Sequence, residues 1–109
     1  MSISTDTTSR LARKIDETFT ARGSVYGPPE TNFANIAAFW RAWLKARHGV
    51  DVELDAHDVG QMSAMIKLAR LAESPHHEDS ALDAMVYIGL GHGCAIDAEQ
   101  LAVAKENAA

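Results

Sequence analysis

Cysteine is almost missing from this chain: Cys94 stands alone among 109 residues. A single thiol excludes an internal disulfide framework and a zinc site built on cysteines. Basic excess is missing too. Ten Lys and Arg face fifteen Asp and Glu, a formal charge of −5, which argues against a protein that binds duplex nucleic acid through its phosphates. Long apolar runs are absent. The longest uncharged stretch, Ala84 to Ile96, is interrupted by Gly89, Gly91 and Gly93 and is too short to cross a bilayer. The opening Met1-Ser2-Ile3-Ser4-Thr5-Asp6 has no apolar signal core, so the expected location is cytoplasmic, with no membrane partner. Proline occurs at only two places, Pro28-Pro29 and Pro75, which leaves long stretches free to be helical.

What is present is an ordinary globular balance, 47% hydrophobic and 23% charged, at a length that suits one domain. Residues 1–8 are Ser/Thr-rich and expected to fray; residues 9–109 are expected to form a single helical domain. Leu11, Ile15 and Phe19 predict a first helix from Thr8 to Ala21. Phe33, Ile36, Ala37, Trp40 and Leu44, widened by Phe39 and Trp43, predict a second from Glu30 to Arg47, closed by Gly49. Asp55 is a candidate N-cap for a third, Ala56 to Glu73, with Val59, Met62, Ile66 and Ala69 as its inner face. Val50 to Leu54 reads as an extended connector.

A fourth helix, capped by Asp79 or Ser80, is nearly apolar from Ala81 to Gly91 and reads as the buried one. Its glycines either permit close helix contact or end it, and Asp97 to Glu106 is a last helical piece that either extends the fourth helix or docks on a partner subunit. Met62, Met65 and Met85 read as core, and Cys94 as buried packing. The fold expectation is all-α, a four-helix bundle with a possible fifth piece. Two tryptophans on one helix and an apolar fourth helix leave more apolar surface than one small bundle covers, so a homo-oligomer is expected.

Charge is segregated. Residues 1–50 carry seven Lys/Arg against four acids, whereas residues 71–109 carry Lys105 against seven acids. Three constellations can bear chemistry. Asp79, Asp83 and Tyr87 recur every four residues and share a helix face. Two carboxylates one turn apart can hold Mg²⁺; the alternative is that Asp79 caps the helix and Asp83 pairs with a Lys or Arg opposite. Ser63, Lys67 and Arg70 line one face of the third helix, with Gly60 continuing the line. They can receive a phosphate, or pair with Asp79 and Asp83 across the bundle. In the loop from Arg22 to Asn32, Arg22 can hold phosphate, Tyr26 can stack on a base and Asn32 can read a base edge; the alternative is a rigid connector. His77 with Asp79 can bind a transition metal, although adjacent imidazoles such as His76-His77 are commonly solvated.

Three blocks in order, Arg22-Gly-Ser-Val-Tyr26-Gly27-Pro28-Pro29-Glu-Thr-Asn32-Phe33, Asp58-Val-Gly-Gln-Met62-Ser-Ala-Met-Ile-Lys67-Leu-Ala-Arg70 and His77-Glu-Asp79-Ser80-Ala-Leu-Asp83-Ala-Met-Val-Tyr87, resemble a family of small uncharacterised helical proteins found mainly in bacteriophages. More distantly the chain is similar to phage nucleotide-modification-associated proteins and MazG-like all-α nucleotide pyrophosphohydrolases. That likeness implies acidic residues on two antiparallel helices holding Mg²⁺ and nucleotide phosphates, with Asp79 and Asp83 as the catalytic, metal-binding pair on the second acidic helix. Joined to the residue reading above, it gives a nucleotide site with Arg22, Lys67 and Arg70 on phosphate and Tyr26, Asn32 and Tyr87 completing it. The chain departs from that pattern in its third helix, which offers Lys67 and Arg70 where such enzymes carry a glutamate cluster, with Asp58 on the opposite face and Glu73 at its end. The functional expectations are therefore nucleotide binding with Mg²⁺-dependent hydrolysis, sequestration of a nucleotide or cyclic dinucleotide without catalysis, or a structural oligomer.

Overall fold

A computed structural model describes residues 2–22 and 28–108, the side chains of 20–22 excepted. The described residues form four helices and no strand: α1 (Ile3–Arg22), α2 (Pro29–His48), α3 (Ala56–Glu73) and α4 (Glu78–Ala108). The chain is all-α, as its periodicity predicts. Residues 50–54 are an irregular connector between α2 and α3.

Local chemistry sets the helix ends. The Ser2 hydroxyl accepts the Thr5 N–H (3.2 Å), so α1 begins at Ile3, ahead of the Thr8 start suggested by the apolar stripe. Pro29 occupies the first turn of α2, where its missing N–H costs nothing, and Gly49 ends the helix at φ +68° with its N–H on the Lys45 carbonyl. Asp55 caps α3, and its own N–H donates to Asp58 Oδ2 (2.8 Å). At α4 the expected caps are displaced by one turn. Helix begins at Glu78, and His77 Nδ1 accepts the Ser80 N–H (3.3 Å) while lying 2.7 Å from Ser80 Oγ. Ser80 is fully buried, and this imidazole satisfies it.

α3 and α4 form the most extensive helix pair. They are joined by a turn in which His77 N–H meets the Ser74 carbonyl (3.0 Å). Gly60 lies against Gly91, and Lys67 reaches Asp83, so the two helices run antiparallel. The glycine contact is tight: a Cβ on Gly60 would sit 2.6 Å from Gly91 Cα and 2.7 Å from the Tyr87 carbonyl oxygen. Gly91 is thus a site of close backbone approach, and α4 runs through all three of its glycines as one helix of 31 residues. The break allowed by the glycines is not found, because a helix packed on one face tolerates glycine, and Asp97 to Glu106 extends α4, one of the two readings the sequence left open.

α2 closes the core at one end of that pair. Phe33 and Ala37 meet Val59 and Cys94, with Ile36, Trp40, Leu54, Tyr87 and Leu90 around them. Cys94 is buried packing, as expected; burial, with Glu30 and Asp97 nearby, pushes its thiol pKa up. Several other core assignments are corrected. Phe39 is 76% exposed and Met65 61%, and Trp43, Met62, Met85, Ile66 and Ala69 are exposed as well. The reason lies in where α2 builds its cluster: among the described residues, its α3 members are Val59 and, packed against it, Ala56. Farther along α3, Met62, Met65 and Ile66 lie outside that cluster. Gly60 and Ala64 instead form the buried inner face with Val59.

α1 is held lightly. Leu11 is buried, Ile15 half-buried and Phe19 exposed. Arg10 donates to Glu78 (2.6 Å) and Lys14 lies 3.5 Å from the same carboxylate. The Arg10 hydrogen bond holds the Glu78 carboxyl below its ordinary pKa. The radius of gyration is 16.7 Å, where a compact monomer of this length has about 13 Å.

Two predictions follow from this architecture. Gly60→Ala should lower stability by about 1–3 kcal/mol, because backbone atoms cannot yield to the new methyl. Gly93→Ala, whose Cβ meets nothing within 4 Å, should raise it by about 0.5–1 kcal/mol; urea unfolding of both variants measures the contrast. Because the Glu78 pKa is depressed in the folded state, the α1 tether is intact above the ordinary carboxylate range and lost as pH falls through the lowered value. Amide protection in α1 should drop selectively once pH falls below the ordinary carboxylate range while the α3–α4 amides stay protected.

Candidate functional site

The α3–α4 pair brings two of the three predicted constellations together. Lys67 Nζ lies 3.1 Å from Asp83 Oδ2, with side chains 17% and 44% exposed. The ammonium is thus partly sheltered while the carboxylate stays open to water. This is the cross-bundle pairing that the charge pattern allowed as an alternative to free ligands. A half-exposed pair of this kind stabilises a fold by no more than about 1 kcal/mol, so its chief effect is to fix where the two charges stand.

Extending the register from Gly60–Gly91 through Lys67–Asp83 sets Arg70 level with Asp79 and Ser80. Arg70 and Asp79 are both exposed, and neither forms an ion pair among the described residues. A row of charges results, with Lys67 and Arg70 on one helix and Asp83 and Asp79 on the other. Ser63, one turn before Lys67, is half-buried.

Tyr87 belongs to the margin of the core. Its ring is half-buried and tilted against Phe33, with centroids 6.5 Å apart. The third constellation is largely beyond view: Tyr26, Gly23, Gly27 and the Arg22 side chain lie outside the described residues. Asn32, in the first turns of α2, is exposed. Two hollows stand out on the surface. One, of about 260 Å³, is lined by Thr7, Leu11, Pro75, His76, His77 and Ala81 between α1 and the start of α4. The other, about 460 Å³, lies along Ile96, Gln100 and Val103 of α4. Neither is lined by Lys67, Arg70, Asp79 or Asp83.

Sequence reasoning missed one cluster. Oxygen and nitrogen atoms of Asp55, His57 and Asp58 gather within 4.8 Å of one another. The spacing Asp-x-His-Asp signals it, but its arrangement is that of a helix start. Asp58 accepts the Asp55 N–H, His57 Nε2 lies 3.5 Å from Asp58 Oδ1, and the positive end of the α3 dipole disfavours a cation there. Its polar groups are engaged in capping. His77, the transition-metal candidate with Asp79, is likewise engaged through Nδ1 in capping α4.

No helix among the described residues is long and apolar enough to cross a membrane. No solved structure matches the chain. The chain is similar to the Gene 55 protein of Mycobacterium phage L5, 32% identical over 69 residues that cover 63% of this chain and 41% of that protein. The chain therefore spans well under half the length of that relative. The DUF6378 family, described as a domain of unknown function, matches residues 11–95. That span takes in most of α1, all of α2 and α3, and the packed part of α4 with the Lys67–Asp83 pair, and the chain belongs to the DUF6378 family.

Proposed function

We propose that this chain binds the phosphates of a nucleotide, or a similarly phosphorylated small molecule, along the edge where α3 faces α4. The observation that carries the reading is the Lys67–Asp83 pair, half open to water, continued by an exposed Arg70 with no ion-pair partner among the described residues. A phosphate oxygen competes with Asp83 for the sheltered ammonium, and Arg70 adds a planar two-donor fork beside it. When empty, the edge is neutralised by its own carboxylates, which limits indiscriminate anion binding. The sequence resemblance to MazG-like proteins suggests the nucleotide, and the similarity to a mycobacteriophage protein suggests only the phage setting.

Asp79 and Asp83, one helical turn apart, are the groups that would hold Mg²⁺ between the protein and its ligand. Such an ion would neutralise phosphate charge and supply an activated water. Asp83 already faces an ammonium, and α3 contributes cations where a two-metal centre needs acids. Sequestration without bond cleavage is therefore favoured over hydrolysis. Arg22, Tyr26 and Asn32 remain the candidate base-side contacts.

Thermal shift with nucleoside mono-, di- and triphosphates and a cyclic dinucleotide, each with and without Mg²⁺, tests the reading. Binding should raise the melting temperature. A metal-independent shift supports sequestration, a shift that needs Mg²⁺ supports Asp79 and Asp83 as ligands, and no shift with any of these ligands overturns the proposal in favour of a structural oligomer. Arg70→Ala should weaken affinity about 10- to 100-fold, the weight of a charge-assisted hydrogen bond, with unfolding unchanged because the side chain is exposed. Asp83→Asn should leave the fold within about 1 kcal/mol of the parent and abolish any Mg²⁺ dependence; global unfolding of this variant would make Asp83 a structural partner of Lys67 instead.

A further inference from the structure

α4 is long for the fold it belongs to. At 1.5 Å per residue its 31 residues extend about 46 Å, whereas the 18 residues of α3 extend about 27 Å. Burial on α4 ends at Cys94 and Ala95; every described residue from Ile96 onward is exposed. An isolated helical segment of that length is marginal in water, yet this one carries Ile96, Leu101 and Val103.

Met85, Ile88, His92, Ile96 and Val103 fall within a band roughly 80° wide on the α4 surface, at 100° per residue. This band lies roughly 120° round the helix from Ser80, Ala84, Gly91 and Cys94, the residues buried by the rest of the chain. Ile88 is 51% exposed and Val103 49%, and a Cβ on the adjoining Gly89 would meet nothing within 4 Å. An apolar stripe at helical spacing, running past the end of the core, is built to meet another helix.

The area left exposed is of the size that a second copy of the chain would cover. The chain exposes 8063 Å², whereas a folded monomer of its mass exposes about 5,900 Å². The excess, about 2,150 Å² summed over the whole chain and shared by α4 with the exposed faces of α2 and α3, is of the size that each partner of an obligate homodimer loses, about 1,000–2,500 Å² or half the total interface. A stripe that reads similarly along its length suits a twofold contact, in which the same surface serves both subunits. Glu99 is the sole ionisable side chain other than His92 on the stripe between Met85 and Val103, so little charge opposes self-association.

We infer that the exposed α4 stripe is the seat of a second copy of this chain, α4 against α4, and that the C-terminal third of α4 is held helical by that partner. The pairing is independent of whether Lys67 and Arg70 receive phosphate, since neither lies on the stripe. Sedimentation equilibrium on the full chain at micromolar concentration should give a dimer or an even multiple of it. The double variant Ile88→Lys/Ile96→Lys replaces two exposed side chains, 51% and 38% accessible, so it should keep most of its helical circular dichroism and a cooperative unfolding transition while sedimenting as a monomer. Phe39→Lys, on the exposed face of α2, should leave the assembly intact. A second measurement covers the case in which the double variant fails to fold: in the parent chain, amide protection from residue 96 to 108 should rise with protein concentration. A monomeric parent, an assembly that survives Ile88→Lys/Ile96→Lys but not Phe39→Lys, or protection of residues 96–108 that ignores concentration would each overturn the inference.

Discussion

The close approach of Gly60 to Gly91 is the constraint on which the rest of the molecule depends. With no Cβ on either side, the backbones of α3 and α4 come nearer than any other residue pair would permit. That contact fixes the separation and register of the pair. From it follow the level at which Lys67 meets Asp83, the burial of Ala64, Ser80 and Ala84, and the platform on which Phe33 and Ala37 of α2 close the small core. The small side chains along this seam are consequences of the same spacing, since a larger residue at 64 or 84 would force the helices apart.

Charge is arranged around that seam with the opposite economy. The inner faces are small and apolar, and the charged groups sit at the edge. α4 carries most of the acids of the C-terminal part, and it draws in the basic residues of its neighbours at two points: Arg10 and Lys14 on Glu78 from α1, and Lys67 on Asp83 from α3. The first of these tethers a helix that is otherwise thinly packed. The second places a sheltered ammonium beside an exposed carboxylate, next to a guanidinium with no such partner among the described residues. The segregation of charge along the chain is thus translated into contacts between helices, with Arg70 left exposed beside the paired edge.

Much of the fold was legible in the sequence because its signals are local. Gly49, Asp55 and the Ser74-Pro75 step mark the ends of α2 and α3 by backbone chemistry that needs no tertiary context. The all-α class follows from periodicity. What was not legible depends on which face a neighbour happens to cover. Met62 and Ile66 have core-like spacing yet lie outside the cluster that Phe33 and Ala37 build on Val59, and Phe39 and Trp43 lie round the helix from the Phe33–Ala37 line. Glycine in α4 gave an ambiguous signal because it serves opposite ends in one helix: Gly91 meets a backbone and Gly89 meets open space. At the candidate site, residue types and helix faces could be read directly. The partner of Asp83 could not, because Lys67 and Arg70 are three residues apart and only the register set by the glycines selects between them.

The function turns on whether the α3 cations, in the positions set by the glycine seam, receive an anionic guest. Exchanging the pair as Lys67→Asp/Asp83→Lys keeps opposite charges in contact and moves the sheltered ammonium onto the other helix. Calorimetric titration of the parent and the exchanged chain with a nucleoside triphosphate is the direct comparison. The parent should bind, and the exchanged chain, equally folded, should lose at least tenfold in affinity, about 1.4 kcal/mol. A parent that evolves no binding heat, or an exchanged chain that binds as tightly as the parent, would contradict it.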